Sequence, residues 1–195
     1  MEVAKKELIL DVAAKTFAER GLKKASIDLI AQRAGVAKGT IYLACESKED
    51  LFYQALHREL HAWIGAVAGT IDLRQPADEL LPRAYDAANG YLASHPLVRD
   101  LLLGVCEIHM PEWATQFEAL RVLGRAPIVE ILRLGVQQGV FRRELDVEET
   151  AKILQDIHLA AVTAEENGSD HASRKRRQRA SHALVLGGVL AKRRG

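Results

Sequence analysis

Three groups of side chains have the types and spacing for chemistry. His57 and His61 stand four apart, so on a helix both imidazoles share one face and could hold a metal ion together. The residues between them are Arg-Glu-Leu, which lacks the H-E-x-x-H order of a zinc hydrolase, and a solvated pair is the reading adopted. Cys106 and His109 pair a thiol with a base, but no third group is in sequence view to orient them. The third group is Arg174-Lys175-Arg176-Arg177-Gln178-Arg179, the densest basic run in the chain, which invites a nucleic-acid reading. There is no G-x-S-x-G, no P-loop and no G-x-G-x-x-G. The expectation is therefore a protein that binds rather than catalyses, with no metal and no cofactor.

Helical periodicity runs through nearly the whole chain, and the fold class expected is all-α. Leu8, Ile9, Val12, Ala13 and Phe17 mark one face of a first helix, ended near Arg20 by Gly21 as a left-handed cap. Ser26 caps a second helix reaching Ala34 before Gly35, with Asp28 at its positive end. A third helix is predicted over 38–44, and Ser47-Lys48-Glu49-Asp50 opens a fourth with a broad apolar stripe from Leu51 to Val67. All five prolines fall between 76 and 127 and divide the middle into helices at about 78–94, 97–109 and 112–138, the last bent near Pro127. Asp146 and Glu149 start a helix to about Glu166, Asn167 to Asp170 turn the chain, and a final helix reaches about Arg193. No stretch alternates with a strand's period.

Gly35 fits the turn glycine of a helix-turn-helix. The positions that this geometry forces to be small or apolar agree: Ala31, where the helices cross, and Ile30, Ala34, Val36, Ile41 and Ala44 around the inter-helix contact. With these residues the chain resembles the N-terminal domain of the TetR family of transcriptional regulators. The text that carries the resemblance is Ile9-Leu10, Val12-Ala13, Phe17, Gly21, Ile30-Ala31, Ala34-Gly35-Val36, Lys38-Gly39-Thr40-Ile41-Tyr42 and Ser47-Lys48-Glu49-Asp50-Leu51, about the first fifty residues. Two positions depart from the family's habit: Ala37 replaces a Ser or Thr cap, and Cys45 replaces a buried Phe.

The resemblance implies that the third helix enters the major groove. It would present Ala37, Lys38, Gly39 and Thr40, with Tyr42 reaching a phosphate and Ser26 holding another. Lys48 sits in the first turn of a helix, where a cation opposes the macrodipole, and a DNA phosphate there would account for it. Between Gly21 and Lys48 five basic residues face Asp28 and Glu46, a net +3, while the whole chain of 195 residues carries +1. The basic patch is thus local. The run from Arg174 to Arg179 is read as a solvated helix face.

The resemblance also implies a division into a DNA-binding domain, residues 1–47, and a ligand-binding and dimerisation domain, residues 48–195. Trp63, Tyr91, Cys106, His109, Met110, Trp113 and Phe117 gather the scarce aromatics (5% of the chain) with a few polar tips, the mixture an effector pocket needs. Sparse charge between Leu97 and Leu120 favours an apolar or weakly polar effector. Leu154, His158 and Ala161 on one helix and Ala180, Ala183, Leu184 and Gly187 on the last make smooth faces, and the resemblance implies a four-helix dimer interface built from them. The expected function is a homodimeric, ligand-responsive repressor on a pseudo-palindromic double-stranded operator. The alternatives are an activator, or a small-molecule-binding or enzymatic helical protein with a vestigial helix-turn-helix. The longest apolar stretches reach about half of the ~20 residues that cross a bilayer, and MEVAKKELIL lacks the apolar core of a leader. No membrane partner and a cytoplasmic location are expected.

Overall fold

The computed structural model describes residues 3–165 and 171–190, with the side chains of Glu107, Gln178 and residues 161–175 outside the description. Ten α-helices follow in order: α1 Val3–Lys24, α2 Ile27–Ala34, α3 Lys38–Tyr42, α4 Lys48–Ala68, α5 Ala77–Leu92, α6 Pro96–Leu102, α7 Val105–His109, α8 Ala114–Gln137, α9 Val147–Glu165 and α10 His171–Val189. A 3₁₀ turn, Pro111–Trp113, leads into α8. The all-α expectation holds. The only β-type pairing among the described residues is an isolated antiparallel bridge between Phe141 and Leu190, beside a bond from the Arg142 N–H to the Val189 carbonyl of 3.0 Å.

The chain packs as two compact units, residues 1–63 with 92–120, and residues 64–91 with 121–195. In the first unit Ile9, Phe17, Ile30, Ile41, Leu51 and Leu60 are fully buried, each an apolar position of the helical repeat that its sequence displays. In the second the centre is Leu80, Leu81, Leu132 and Phe141. Gly135 makes room for that last ring, since a Cβ at 135 would overlap it. These units describe packing.

Three boundaries differ from the sequence reading. Gly21 takes the positive φ expected (69°) but with an extended ψ of 164°, so α1 kinks there and runs one more turn to Lys24. The third helix stops at Tyr42, where Leu43 caps it, not at Ala44. The segment 97–109 is split by Gly104, whose φ of 73° breaks the α-helical ladder between α6 and α7. The turn at 167–170 and the end of the last helix beyond Leu190 lie outside the described residues.

Candidate nucleic-acid interface

The helix-turn-helix is built from local signals. The Ser26 side chain accepts the Leu29 N–H at 3.2 Å and starts α2, whose Ile27, Ile30, Ala31 and Ala34 are buried. Gly35 ends it in the left-handed region (φ 65°, ψ 32°), and the Val36 N–H returns to the Ala31 carbonyl at 3.0 Å. Val36 and Ala44 are half-buried and Ile41 is fully buried, close to the pattern expected. Ala37 precedes α3 without a side-chain cap.

Arg33 fixes α2 to α1, donating to Thr16 Oγ1 at 3.2 Å and Glu19 Oε2 at 2.7 Å. Three residues of α4 hold the rest, and none of the three was read from sequence as a tie. Lys48 Nζ donates to the Leu22 carbonyl at 3.0 Å, Gln54 to the Ala44 carbonyl at 3.1 Å, and Arg58 to Glu7 and Asp11 of α1 at 2.7 and 2.8 Å. The Arg58 hydrogen bond also lowers the Asp11 pKa. Spacings of 10 to 51 residues hide these partners in the sequence.

Outward, Ser26, Ala37, Lys38 and Gly39 are exposed, Thr40 is half-buried and Tyr42 is 50% exposed. A Cβ at Gly39 would meet nothing within 4 Å, so no internal contact requires glycine in this helix. Glycine there costs about 0.5–1 kcal/mol relative to alanine, and the face it keeps flat is the exposed one. Lys38 Nζ pairs with Asp28 at 3.0 Å, and that hydrogen bond raises the lysine's pKa.

Lys48 has a partner inside the chain. Its charge is half-buried against the Leu22 carbonyl in the last turn of α1, where a cation is favourable, so the fold by itself accounts for a cation at the start of α4. Lys48→Met should lower stability by about 1 kcal/mol in urea unfolding and weaken operator binding less than threefold. A tenfold loss of affinity at unchanged stability would return Lys48 to a phosphate.

Of the effector candidates, Cys106, His109 and Met110 meet at a cleft of ≈ 80 Å³ lined also by Phe17, Phe52 and Leu97, far below the ~300 Å³ of ordinary ligand pockets. Phe117 is fully buried and sits edge-on to Phe52 at 6.5 Å, which in turn is edge-on to Phe17 at 5.2 Å. Trp113 lies 5.3 Å from Tyr53. Trp63 is buried with its Nε1 unpartnered, and Tyr91 belongs to the second unit. Phe117 is core.

Of the dimer candidates, Ala180, Ala183, Leu184 (69% exposed) and Gly187 are exposed on α10. Leu154 and His158 are buried, with the Tyr85 hydroxyl donating to the Leu154 carbonyl at 3.0 Å and the Tyr85 ring 4.8 Å from His158. They face inward because α9 carries two apolar stripes, and the exposed one includes Ile153 (56%). The side chain of Ala161 lies outside the described residues.

Burial, with His182 nearby, pushes the His158 pKa down to about 4. Below the ordinary imidazole value of ~6.5 the unfolded chain takes a proton that the folded one refuses. Stability should fall by about 2 kcal/mol from pH 7 to pH 5, and urea unfolding of His158→Leu at the two pH values should show that part of the loss removed.

Among the described residues no group of three or more His, Cys, Asp or Glu could hold a metal, and no helix is long and apolar enough to cross a membrane. His57 and His61 are exposed with their Nε2 atoms 3.3 Å apart. Arg176, Arg177 and Arg179 of the basic run are exposed.

Residues 9–55 match the family model described as bacterial regulatory proteins, tetR family. The HTH-type transcriptional repressor KstR2 of Rhodococcus jostii (strain RHA1) is 32% identical over 158 residues, covering 79% of this chain and 76% of that protein. The chain belongs to the tetR family. As a tetR-family protein it is a DNA-binding transcriptional regulator and not an enzyme, so the enzymatic alternative falls. The tetR-like fold extends along the chain. FadR from Bacillus subtilis, solved in complex with stearoyl-CoA, superposes with a TM-score of 0.75 at 22% identity, covering 93% of this chain and 98% of that one. A transcriptional regulator from Saccharomonospora viridis, solved in complex with choline, gives 0.74 at 22%, covering 98% and 100%.

Proposed function

We propose that this tetR-family regulator is a ligand-responsive repressor that occupies a pseudo-palindromic operator as a homodimer in the cytoplasm. Residues 1–47 read DNA through Ser26, Ala37, Lys38, Gly39, Thr40 and Tyr42, and residues 48–195 sense the effector and dimerise. The observation that carries the reading is the outer face of α3, with an exposed Tyr42 and a glycine that no internal contact demands. Two copies of α3 about 34 Å apart would enter successive major grooves. The exposed Ile153, Ala180, Ala183, Leu184 and Gly187 supply the apolar face for the second protomer.

The ties from Lys48, Gln54 and Arg58 make α4 the part that moves the reading head, because they fasten it to α1 and to the chain just after α3. An effector that binds a conformation with altered α3 spacing better than the DNA-bound one shifts the population and releases the operator; only that difference in affinity drives it. KstR2 is named a repressor and FadR was solved with stearoyl-CoA, which supports a sensor for a small organic molecule. The test is a mobility-shift titration of the purified protein on the DNA upstream of its own gene at moderate salt. A sequence-specific shift that competitor DNA does not abolish is expected; binding that competitor removes entirely would sink the reading.

A further inference from the structure

The second unit, residues 64–91 and 121–195, holds a connected set of buried polar atoms that the protein itself leaves unmet. Tyr85 of α5 anchors it, bonded through its hydroxyl to the Leu154 carbonyl and packed against the His158 ring of α9. Asn89 stands one helical turn beyond Tyr85, and Gln155 one turn before His158. From α8, Arg125 Nε donates to Gln155 Oε1 at 2.9 Å. After these bonds Asn89 Oδ1, Gln155 Nε2 and His158 Nε2 remain buried with no partner. Gln155 and His158 are only 6% and 7% exposed. Native domains leave only a few such atoms per hundred residues, and of the five among the described residues three belong to this one cluster.

The charges say what is missing. Arg125 is half-buried, and its one partner among the described residues is the neutral Gln155 oxygen, so no carboxylate balances the guanidinium. Asp86, next to Tyr85 in the chain, lies 3.4 Å from His182. Burial keeps His158 uncharged at neutral pH, and a neutral imidazole with its proton on Nε2 donates one hydrogen bond. One cation and two neutral donors, from Gln155 and His158, are thus held in one cluster of contacts, with the acceptor Asn89 Oδ1 one helical turn from Tyr85.

We propose that Arg125, Gln155 and His158, with Asn89 beside them, hold the acidic head group of the effector, a carboxylate or a phosphate on an otherwise apolar molecule. This rests on the ligand-responsive reading above and moves the effector's polar anchor away from Cys106, His109 and Met110 to α5, α8 and α9. The anion would take over the Gln155 contact with Arg125 and complete the Gln155 and His158 donors. An acid is selected over an uncharged analogue because the guanidinium gains a charge-assisted bond that an alcohol cannot supply.

The experiment is calorimetric titration of the full chain with stearate, stearoyl-CoA and stearyl alcohol, each below its micelle threshold, alongside operator binding. At least one acid should bind and the alcohol should not. Binding of stearate alone identifies a carboxylate head, and of stearoyl-CoA alone the phosphates; either supports the proposal. Arg125→Met and Gln155→Leu should each weaken the acid at least tenfold while operator binding stays as in the wild type. Arg125→Lys, which keeps the charge, should retain part of the affinity. Variants that bind the acid like the wild type, an alcohol that binds as well as the acids, or a wild type that binds neither acid would each overturn the assignment. In all three cases specific operator binding by the wild type would leave the regulator reading standing, and its loss would fail that reading separately.

Discussion

Phe117→Ala is expected to cost about 3–5 kcal/mol of stability, lowering Tm by roughly 6–20 °C for a chain of this size. The ring has no exposure, and it closes a row of edge-on contacts through Phe52 to Phe17. Truncation removes most of a benzyl group's burial and leaves a hole that three helices can close only in part. A residue lining an effector cavity behaves differently, because its outer face already meets solvent or ligand. Its loss would cost about 1 kcal/mol and would show in ligand affinity. Urea unfolding decides between them: a loss below about 1 kcal/mol would place Phe117 back on a pocket wall.

The second large effect is on DNA. Replacing Lys38 and Tyr42 together by alanine is expected to weaken operator binding by about 100-fold, since a dimer loses each contact twice and a charged hydrogen bond is worth about 1.5–3 kcal/mol. The dependence of log affinity on log salt should flatten by about 2, one released counterion for each Lys38. Both side chains are exposed, so unfolding should change by no more than about 0.5 kcal/mol. Lys38 must leave Asp28, 3.0 Å away, to reach a phosphate. Asp28→Asn should therefore tighten the complex several-fold. Affinity and salt slope unchanged in the double variant would mean that α3 does not face the groove as drawn.

What could be read in advance was what neighbours decide. Ser26 and Gly35 set the ends of α2 through bonds to residues three or four away, so their types alone placed the turn and the exposed face of α3. The partner of Lys48, the Leu22 carbonyl, was not legible because only tertiary folding brings it close. The inward face of α9 was misjudged for a related reason. Leu154 and His158 repeat at helical spacing, and so does the stripe that includes Ile153; periodicity marks both as apolar without saying which faces the chain's own core. The break at Gly104 hid inside a leucine-rich run that reads as continuous helix. The cluster at Arg125 leaves no trace in sequence, because an unmet hydrogen bond exists only once α5, α8 and α9 are packed.

Cys45, which stands just after α3 where the resemblance leads one to expect phenylalanine, sets a limit on how the reading head can be addressed. Its thiol is buried, donates to the Ile41 carbonyl at 3.4 Å, and has its pKa pushed up to about 11. With almost no thiolate at neutral pH, it is inert toward oxidants and electrophiles. News from outside therefore reaches the DNA-binding surface as displacement of helices and not as chemistry on its own sulfur.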